Sequence, residues 1–302
     1  MISPKHTIVG LGELLWDLLP SGKQLGGAPA NFAYTTNLLG DVGIPASRVG
    51  HDPLGDQGLA RLIHLGVSAE FVQYDPIYPT GTVKVEVGAG GQPRFDIMAP
   101  VAWDFLEWTP AWRQLAEKAD AVCFGSLAQR SPQSRSTICS FLKSTRLEAI
   151  RIFDVNLRQN FYTAPILADS MKLATIAKLN HEELPRIADL LDLGKSSEKD
   201  SAKQLLSSHD LKLVCVTRGN GGSMLLSHDD CNEHPGFSVK VADTVGAGDA
   251  FTAAMVHGYL RGKSLAQIND TANRIGAWVA SQSGATPTLK THGLAQTLAE
   301  IG

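Results

Sequence analysis

From about residue 119 onward the chain keeps one rhythm, a short apolar run followed by a helical pattern. Ala121 to Ser126 reads as a strand and Pro132 to Lys143 as a helix. Ile150 to Val155 and Leu173 to Leu179 read as further strands, and Glu182 to Leu191 and Ser197 to Ser207 as helices. Leu211 to Thr217 is a strand rich in Leu and Val. Strands that are apolar along their length have both faces covered, and the intervening helices supply the crossovers. The rhythm therefore predicts an α/β layered sandwich with a mostly parallel central sheet. Thr7 to Leu19 also starts as a buried strand, and a helix from Ala30 to Leu39 follows it. With 302 residues and neither an internal repeat nor a low-complexity linker, one domain over 1–302 is expected.

One segment breaks the rhythm. Thr80 to Val87 alternates polar and apolar residues with period two, Gly88 to Gly91 makes a turn, and Arg94 to Met98 resumes the extended pattern. This is the pattern of an antiparallel hairpin with one apolar face. Such a hairpin can close over a ligand, pair with another subunit, or pack on its own domain.

Composition excludes several classes. The net charge of -3 gives no general surface for nucleic acid. Affinity for a polyanion must then come from local amides, a metal ion or a few basic side chains. The four cysteines, Cys123, Cys139, Cys215 and Cys231, form no C-x-x-C pair, and Cys123 and Cys215 lie in apolar strand-like runs. They read as thiols in a reducing cytosol. The opening Met-Ile-Ser-Pro-Lys-His-Thr lacks the long apolar core of a signal peptide, and no run of about eighteen apolar residues suggests a membrane span. A cytoplasmic protein is expected.

Chemistry concentrates in two glycine-rich segments. Residues 243–251 read Asp-Thr-Val-Gly-Ala-Gly-Asp-Ala-Phe and lead into a long apolar helical run. Gly246, Ala247 and Gly248 expose successive N–H groups where a helix begins, at the positive end of its dipole, which suits a phosphate. Asp249 then sits in the first turn. It suits a base that takes a proton from a hydroxyl attacking phosphorus, or else a simple complement to the dipole. The second segment is Gly26-Gly27-Ala28-Pro29-Ala30-Asn31. The glycines let the backbone approach a ligand closely and Pro29 can start a helix. Asn31, with Asp17 upstream, can both donate to and accept from vicinal hydroxyls, although Asn31 also suits a helix cap and Asp17 a turn.

Two other motifs fail on spacing. Gly258 to Ser264 has three residues between its glycines where a P-loop needs four, and it follows a helix. Gly246-Ala247-Gly248 has Phe251 where a dinucleotide fingerprint needs its third glycine.

Together, the two glycine segments resemble the paired signatures of the ribokinase/PfkB carbohydrate kinases, in the family's order and spanning nearly the whole chain. Between them, Asp154-Val155-Asn156-Leu157-Arg158 is similar to the family's Asp-x-Asn-x-Arg and Asn180-His181-Glu182-Glu183 to its Asn-x-x-Glu. Thr217 to Gly222 resembles the glycine turn beside nucleotide phosphates. Gly12 to Pro20, followed by Lys23 to Gly27, looks most like bacterial fructokinases, as does Ala99 to Asp104. Val155, where many of these have proline, and the run after Arg158 depart from them.

The resemblance implies a ribokinase-like three-layer sandwich with a small antiparallel β lid, built from about 12–27 and 78–100. It implies ATP-dependent phosphorylation of a sugar hydroxyl, D-fructose first among the acceptors. 2-Keto-3-deoxygluconate, ribose, a nucleoside, or silent sugar binding stand as alternatives. Asp249 would be the base, and Gly246, Ala247 and Gly248 would bind the transferring phosphoryl group. Asp17, Gly26, Gly27, Asn31 and Arg158 would hold the sugar. Asn180, Thr217, Gly219, Gly222 and Asn273, with Gly246 and Gly248, would line the ATP site. Glu183 and Asn180 would act on Mg2+ through water, and Asp243 and the Val245 carbonyl could hold K+. The partners implied are sugar and ATP, with no nucleic acid or membrane, and a homodimer through the lid.

Overall fold

The computed structural model describes residues 5–19, 22–87, 93–194, 196–289, 294 and 296. The first half contains β1 (Thr7–Leu11), β2 (Leu15–Leu19), β3 (Gly22–Gly26), α1 (Ala28–Leu38), β4 (Val42–Gly50), α2 (Pro53–His64), β5 (Val72–Asp75), β6 (Gly81–Val87), β7 (Pro93–Ile97), α3 (Pro110–Lys118), β8 (Ala121–Phe124) and α4 (Pro132–Lys143). The second half contains β9 (Ile150–Asp154), α5 (Ala164–Leu173), β10 (Ile176–Asn180), α6 (Glu183–Leu190), α7 (Glu198–Ser208), β11 (Leu213–Thr217), β12 (Ser223–Leu226), β13 (Cys231–His234), α8 (Ala247–Leu260) and α9 (Leu265–Ala280).

The large sheet runs β13-β12-β11-β10-β9-β8-β1-β4-β5. All pairs from β11 to β5 are parallel, and only β12 and β13 add antiparallel edges. Strand alternation divides the core into two layers. Val122 and Phe124 of β8 and Val214 and Val216 of β11 join one cluster with residues of α3 to α7. Their neighbours Ala121, Cys123, Leu213 and Cys215 join the other, with Phe32 of α1 and residues of α8 and α9. Successive side chains point to opposite faces, so both faces must be apolar to carry two helical layers. The predicted parallel three-layer sandwich is therefore present.

The small sheet runs β3-β2-β6-β7. Its two hairpins are antiparallel, and a parallel β2–β6 seam joins them. Val83 and Ile97 are a cross-strand pair, and both lie in the main core. The base of the hairpin thus packs on the body of the protein. The turn expected at Gly88–Gly91 lies outside the described residues.

Several boundaries differ from the sequence reading by a few residues, and two bear on the architecture. The stretch from Thr7 to Leu19 starts as a buried strand, as read, but does not continue as one. At Gly12, with φ of 148°, the chain leaves β1 and passes into β2. Leu173 belongs to the apolar face of α5, and β10 begins only at Ile176.

Candidate active site

The strand order reverses between β8 and β1, and that crevice at the C-terminal ends of the strands is where open α/β sheets place their ligands. A cleft there is lined by Glu13, Pro29, Phe32, Asp154, Asn156 and Asp249, among others. Two glycine-led helix starts flank it.

Helix α1 begins after Gly27, whose φ is 107°. A Cβ at Gly27 would lie 2.5 Å from the Glu13 carbonyl oxygen, and one at Gly26 would strike the Asp17 carboxylate. The Gly-Gly pair thus lets β3 and α1 run against the chain leaving β1. Pro29 stands in the first turn of α1, and Asn31 is buried there. The Asn31 Nδ2 donates 2.9 Å to Asp249 Oδ2, bridging two segments 218 residues apart.

Helix α8 begins after Gly246, whose φ of 77° is left-handed. A Cβ at Gly246 would come within 2.7 Å of Ala285 Cα, so both backbone conformation and space require glycine. No side chain caps this helix end. Asp243 fixes the approach to it, with Oδ1 accepting from Val245 N–H at 3.0 Å and Oδ2 from Gly284 N–H at 3.2 Å. Asp249 follows in the first turn, half-buried. Burial pushes its carboxyl up to about 6, with the Asp154 charge adding to that. The Asn31 hydrogen bond, Lys178 and Arg158 pull it back. Such a group is mostly ionised at neutral pH and able to accept a proton.

Asp17 on β2 shares this field. Burial pushes its carboxyl up to about 6, opposed by Arg158 and reinforced by Asp243. Arg158 is exposed on the loop after β9, between Asn156 and Gln159, which have φ of 43° and 47°. Left-handed backbone at residues other than glycine is costly, and two such residues shape the segment that presents Arg158. The electrostatics therefore gather Asp17, Asn31, Arg158 and Asp249 into one region.

The Asn-x-x-Glu segment is knotted on itself. Asn180 Oδ1 accepts from the N–H groups of Glu182 and Glu183, starting α6. Glu183 is buried, and its two oxygens accept from Leu157 N–H at 2.7 Å and Asn180 N–H at 2.8 Å. It ties the loop carrying Arg158 to the end of β10. Among the described residues, no group of three or more His, Cys, Asp or Glu side chains could cage a metal ion.

Thr217, Gly219 and Gly222 lie at the end of β11, next to β10 in the sheet. Gly219 and Gly222 have φ of 58° and 78°, and a Cβ at Gly222 would strike the backbone near His234. Asn273 lies inside the protein, with Nδ2 donating to Ser223 Oγ at 2.8 Å and to Asn269 O at 2.8 Å.

The structure adds three residues to which the sequence reading gave no role. Glu13 lines the cleft at 5% exposure, and burial pushes its carboxyl up to about 7; its own N–H and that of Ala28 pull it down, and Asp249 pushes it up. Lys178 Nζ lies 3.0 Å from Asp154 Oδ1 and 3.1 Å from Oδ2. Thr252 of α8 reaches the same carboxylate at 3.0 Å. A lysine within the otherwise apolar Ile176–Leu179 run was the available signal for the buried pair.

The pfkB family carbohydrate kinase model matches residues 21–292. The chain is a member of that family. This kinase is 29% identical to the Pyrococcus horikoshii sugar kinase PH1459, over 93% of this chain and 92% of that one. It is 29% identical to an Escherichia coli fructokinase, over 92% and 94% of the two chains. In structure it resembles PH1459 in complex with ATP, with a TM-score of 0.79 and 28% identity over 97% and 99% of the chains. It also resembles Vibrio cholerae O395 fructokinase with fructose, ADP and calcium ion bound, with a TM-score of 0.81 and 25% identity over 99% of each chain. No described helix of the kinase is long and apolar enough to cross a membrane.

Proposed function

We propose that this carbohydrate kinase transfers the terminal phosphoryl group of ATP to the primary hydroxyl of D-fructose, giving fructose 6-phosphate, with Asp249 as the base. The observation that carries the reading is the Asp249 carboxylate, held by Asn31 at 2.9 Å in the first turn of an uncapped helix. Relatives named fructokinase support the choice of sugar.

In this mechanism Asp17, the Gly26–Gly27 backbone, Asn31 and Arg158 orient the sugar. Asp249 takes the hydroxyl proton as the sugar oxygen bonds to phosphorus and the bond from phosphorus to the departing ADP oxygen breaks. The N–H groups over Gly246–Asp249 stabilise charge on the transferring group. Thr217, Gly219 and Gly222 line the ATP side, and Asn273 braces that wall through Ser223 and Asn269.

The donor set fits a hydrated Mg2+ held at one remove. Both Glu183 oxygens already take one N–H each and keep lone pairs for water, with Asn180 beside them. When bound, Mg2+ would neutralise charge on the ATP phosphates. The Asp243 carboxylate and the exposed Val245 carbonyl segment offer oxygens for K+ in the same way. The small sheet would close over the sugar, keep water out, and pair with a second copy in a cytoplasmic dimer.

A coupled ADP-release assay over fructose, ribose, 2-keto-3-deoxygluconate and nucleosides, with and without K+, tests the reading. Fructose should give the highest kcat/KM. A tenfold preference for another acceptor would overturn the choice of sugar, and no ADP release with any acceptor would overturn the kinase assignment.

A further inference from the structure

Beneath the first turn of α8 lies a buried cluster that the proposed mechanism does not use. Asp154, Lys178 and Thr252 are 4%, 8% and 0% exposed. They come from β9, β10 and α8. Lys178 Nζ bonds both oxygens of Asp154 and also lies 3.3 Å from where a Cβ on Gly248 would sit. Thr252 has a single hydroxyl proton within reach of two acceptors, Asp154 Oδ2 at 3.0 Å and the Gly248 carbonyl at 2.9 Å. The ion pair in the sheet is thereby tied to the helix turn that presents Asp249.

We propose that Asp154, Lys178 and Thr252 form a buried clamp of positioning residues that fixes the Gly248–Asp249 turn and sets the charge state of the Asp249 carboxylate. The catalytic part of this inference rests on Asp249 being the base. Buried ion pairs add little to stability against an apolar replacement, so one placed under a helix start points to another role. The field at Asp249 is mixed. Asp154 from β9 opposes its ionisation, and Glu13 after β1 is in turn pushed up by the Asp249 charge. Lys178 from β10 and Arg158 from the loop after β9 favour it, and Asn31 of α1 donates a hydrogen bond. The Cys123 thiol of β8 is held neutral by burial. Lys178 keeps its proton because Asp154, Glu183 and Asp249 outweigh its desolvation.

Asp154→Asn removes the strongest charge opposing Asp249 and leaves Lys178 facing it. In carbon-13 spectra of aspartate-labelled protein, the Asp249 carboxyl is the signal lost in Asp249→Asn. Its titration midpoint should fall by about one pH unit in Asp154→Asn, as expected when a like charge lining the same cleft is removed. An unchanged or raised midpoint would overturn the clamp. The acid limb of kcat in the same variant should move with it. A shifted midpoint with an unmoved limb would support the clamp and remove Asp249 as the base. Should Asp154→Asn fail to fold, Thr252→Val and Thr252→Ser decide the matter. Exchange of the Ala250 amide hydrogen, which donates to Gly246 O at 2.9 Å, should quicken about tenfold in the valine variant and recover in the serine one. Equal exchange in both would refute the clamp.

Discussion

Helices α8 and α9 pack together in one layer of the core, yet their first turns are built in opposite ways. Helix α9 starts with a full capping box. Gln267 N–H donates to Ser264 Oγ at 3.3 Å, and Ser264 N–H donates to Gln267 Oε1 at 3.2 Å. Helix α8 starts on a left-handed glycine, without a side-chain cap, above a buried ion pair. The first arrangement satisfies orphan donors with the protein's own atoms, and the second leaves the helix end open toward the cleft. The contrast extends to their faces. Ala250 to Val256 are all buried, so α8 is covered on every side, whereas α9 buries only a stripe including Ile268, Ala272, Ile275 and Val279. Of the two, the helix more enclosed by protein carries the end less satisfied by it, the arrangement expected where a start serves a ligand and not stability alone.

The sharpest way to break this contrast is Asp249→Ala. The change should lower kcat by roughly 10²–10⁴-fold, the usual worth of a general base, while sugar binding measured by calorimetry persists. Turnover near that of the native enzyme would put α8 in the same class as α9. The native pH profile is a companion measurement. A base near 6 must be ionised to act, so kcat should fall as pH drops through about 6.

Gly246→Ala attacks the same helix start through its backbone. The new methyl would strike Ala285, in a conformation that costs alanine about 1–2 kcal/mol without any clash. Turnover should fall at least about tenfold and the melting temperature should drop with it. Unchanged turnover would show that the start of α8 can shift without harm to the site.

Glu13→Gln tests the carboxylates gathered near Asp249. Burial raises the Glu13 carboxyl from 4.5 to about 7. A raised acid gives stability that is full below 4.5 and is lost as pH rises through 7. The glutamine variant should therefore be more stable than the native enzyme at pH 8, by on the order of 2–3 kcal/mol, and should lose that advantage near pH 4. Chemical denaturation at the two pH values measures it, and equal stability of the two proteins at pH 8 would refute the buried charge.

How much of this was legible depended on whether the signal was local. The strands β8, β9 and β11 and the helix α4 could be read because apolar runs and helical patterns are local periodicities. Strand β4 was missed because Gly43 and Pro45 read against an interior strand, although it pairs on both sides. Strands β12 and β13, four residues each, were too short to stand out. The break at Gly12 depends on where the small sheet docks, which no local pattern carries. The helix-start positions of Gly246, Asp249 and Asn31 were legible because left-handed turns and helix starts restrict residue choice. The clamp was not, because Asp154 meets Lys178 across 24 residues and Thr252 across 98. Asn273 shows the same limit, since its partner Ser223 lies 50 residues away.

The smallest expected effect sharpens the comparison from the other side. Ser264→Ala removes the cap of α9 and leaves Gln267 N–H without its side-chain acceptor. N-cap losses of this type cost about 1 kcal/mol, which for a chain of this length lowers the melting temperature by only about 2 °C. Residue 264 starts the helix that follows α8, its capping-box bonds run to Gln267, and its carbonyl accepts from Ile268 N–H within the same helix. Turnover and the acid limb of kcat should therefore match the native enzyme, while Gly246→Ala changes both stability and turnover. A loss of turnover in Ser264→Ala would mean that α9 transmits strain to the site through α8, and that the division between stabilising and functional helix starts does not hold.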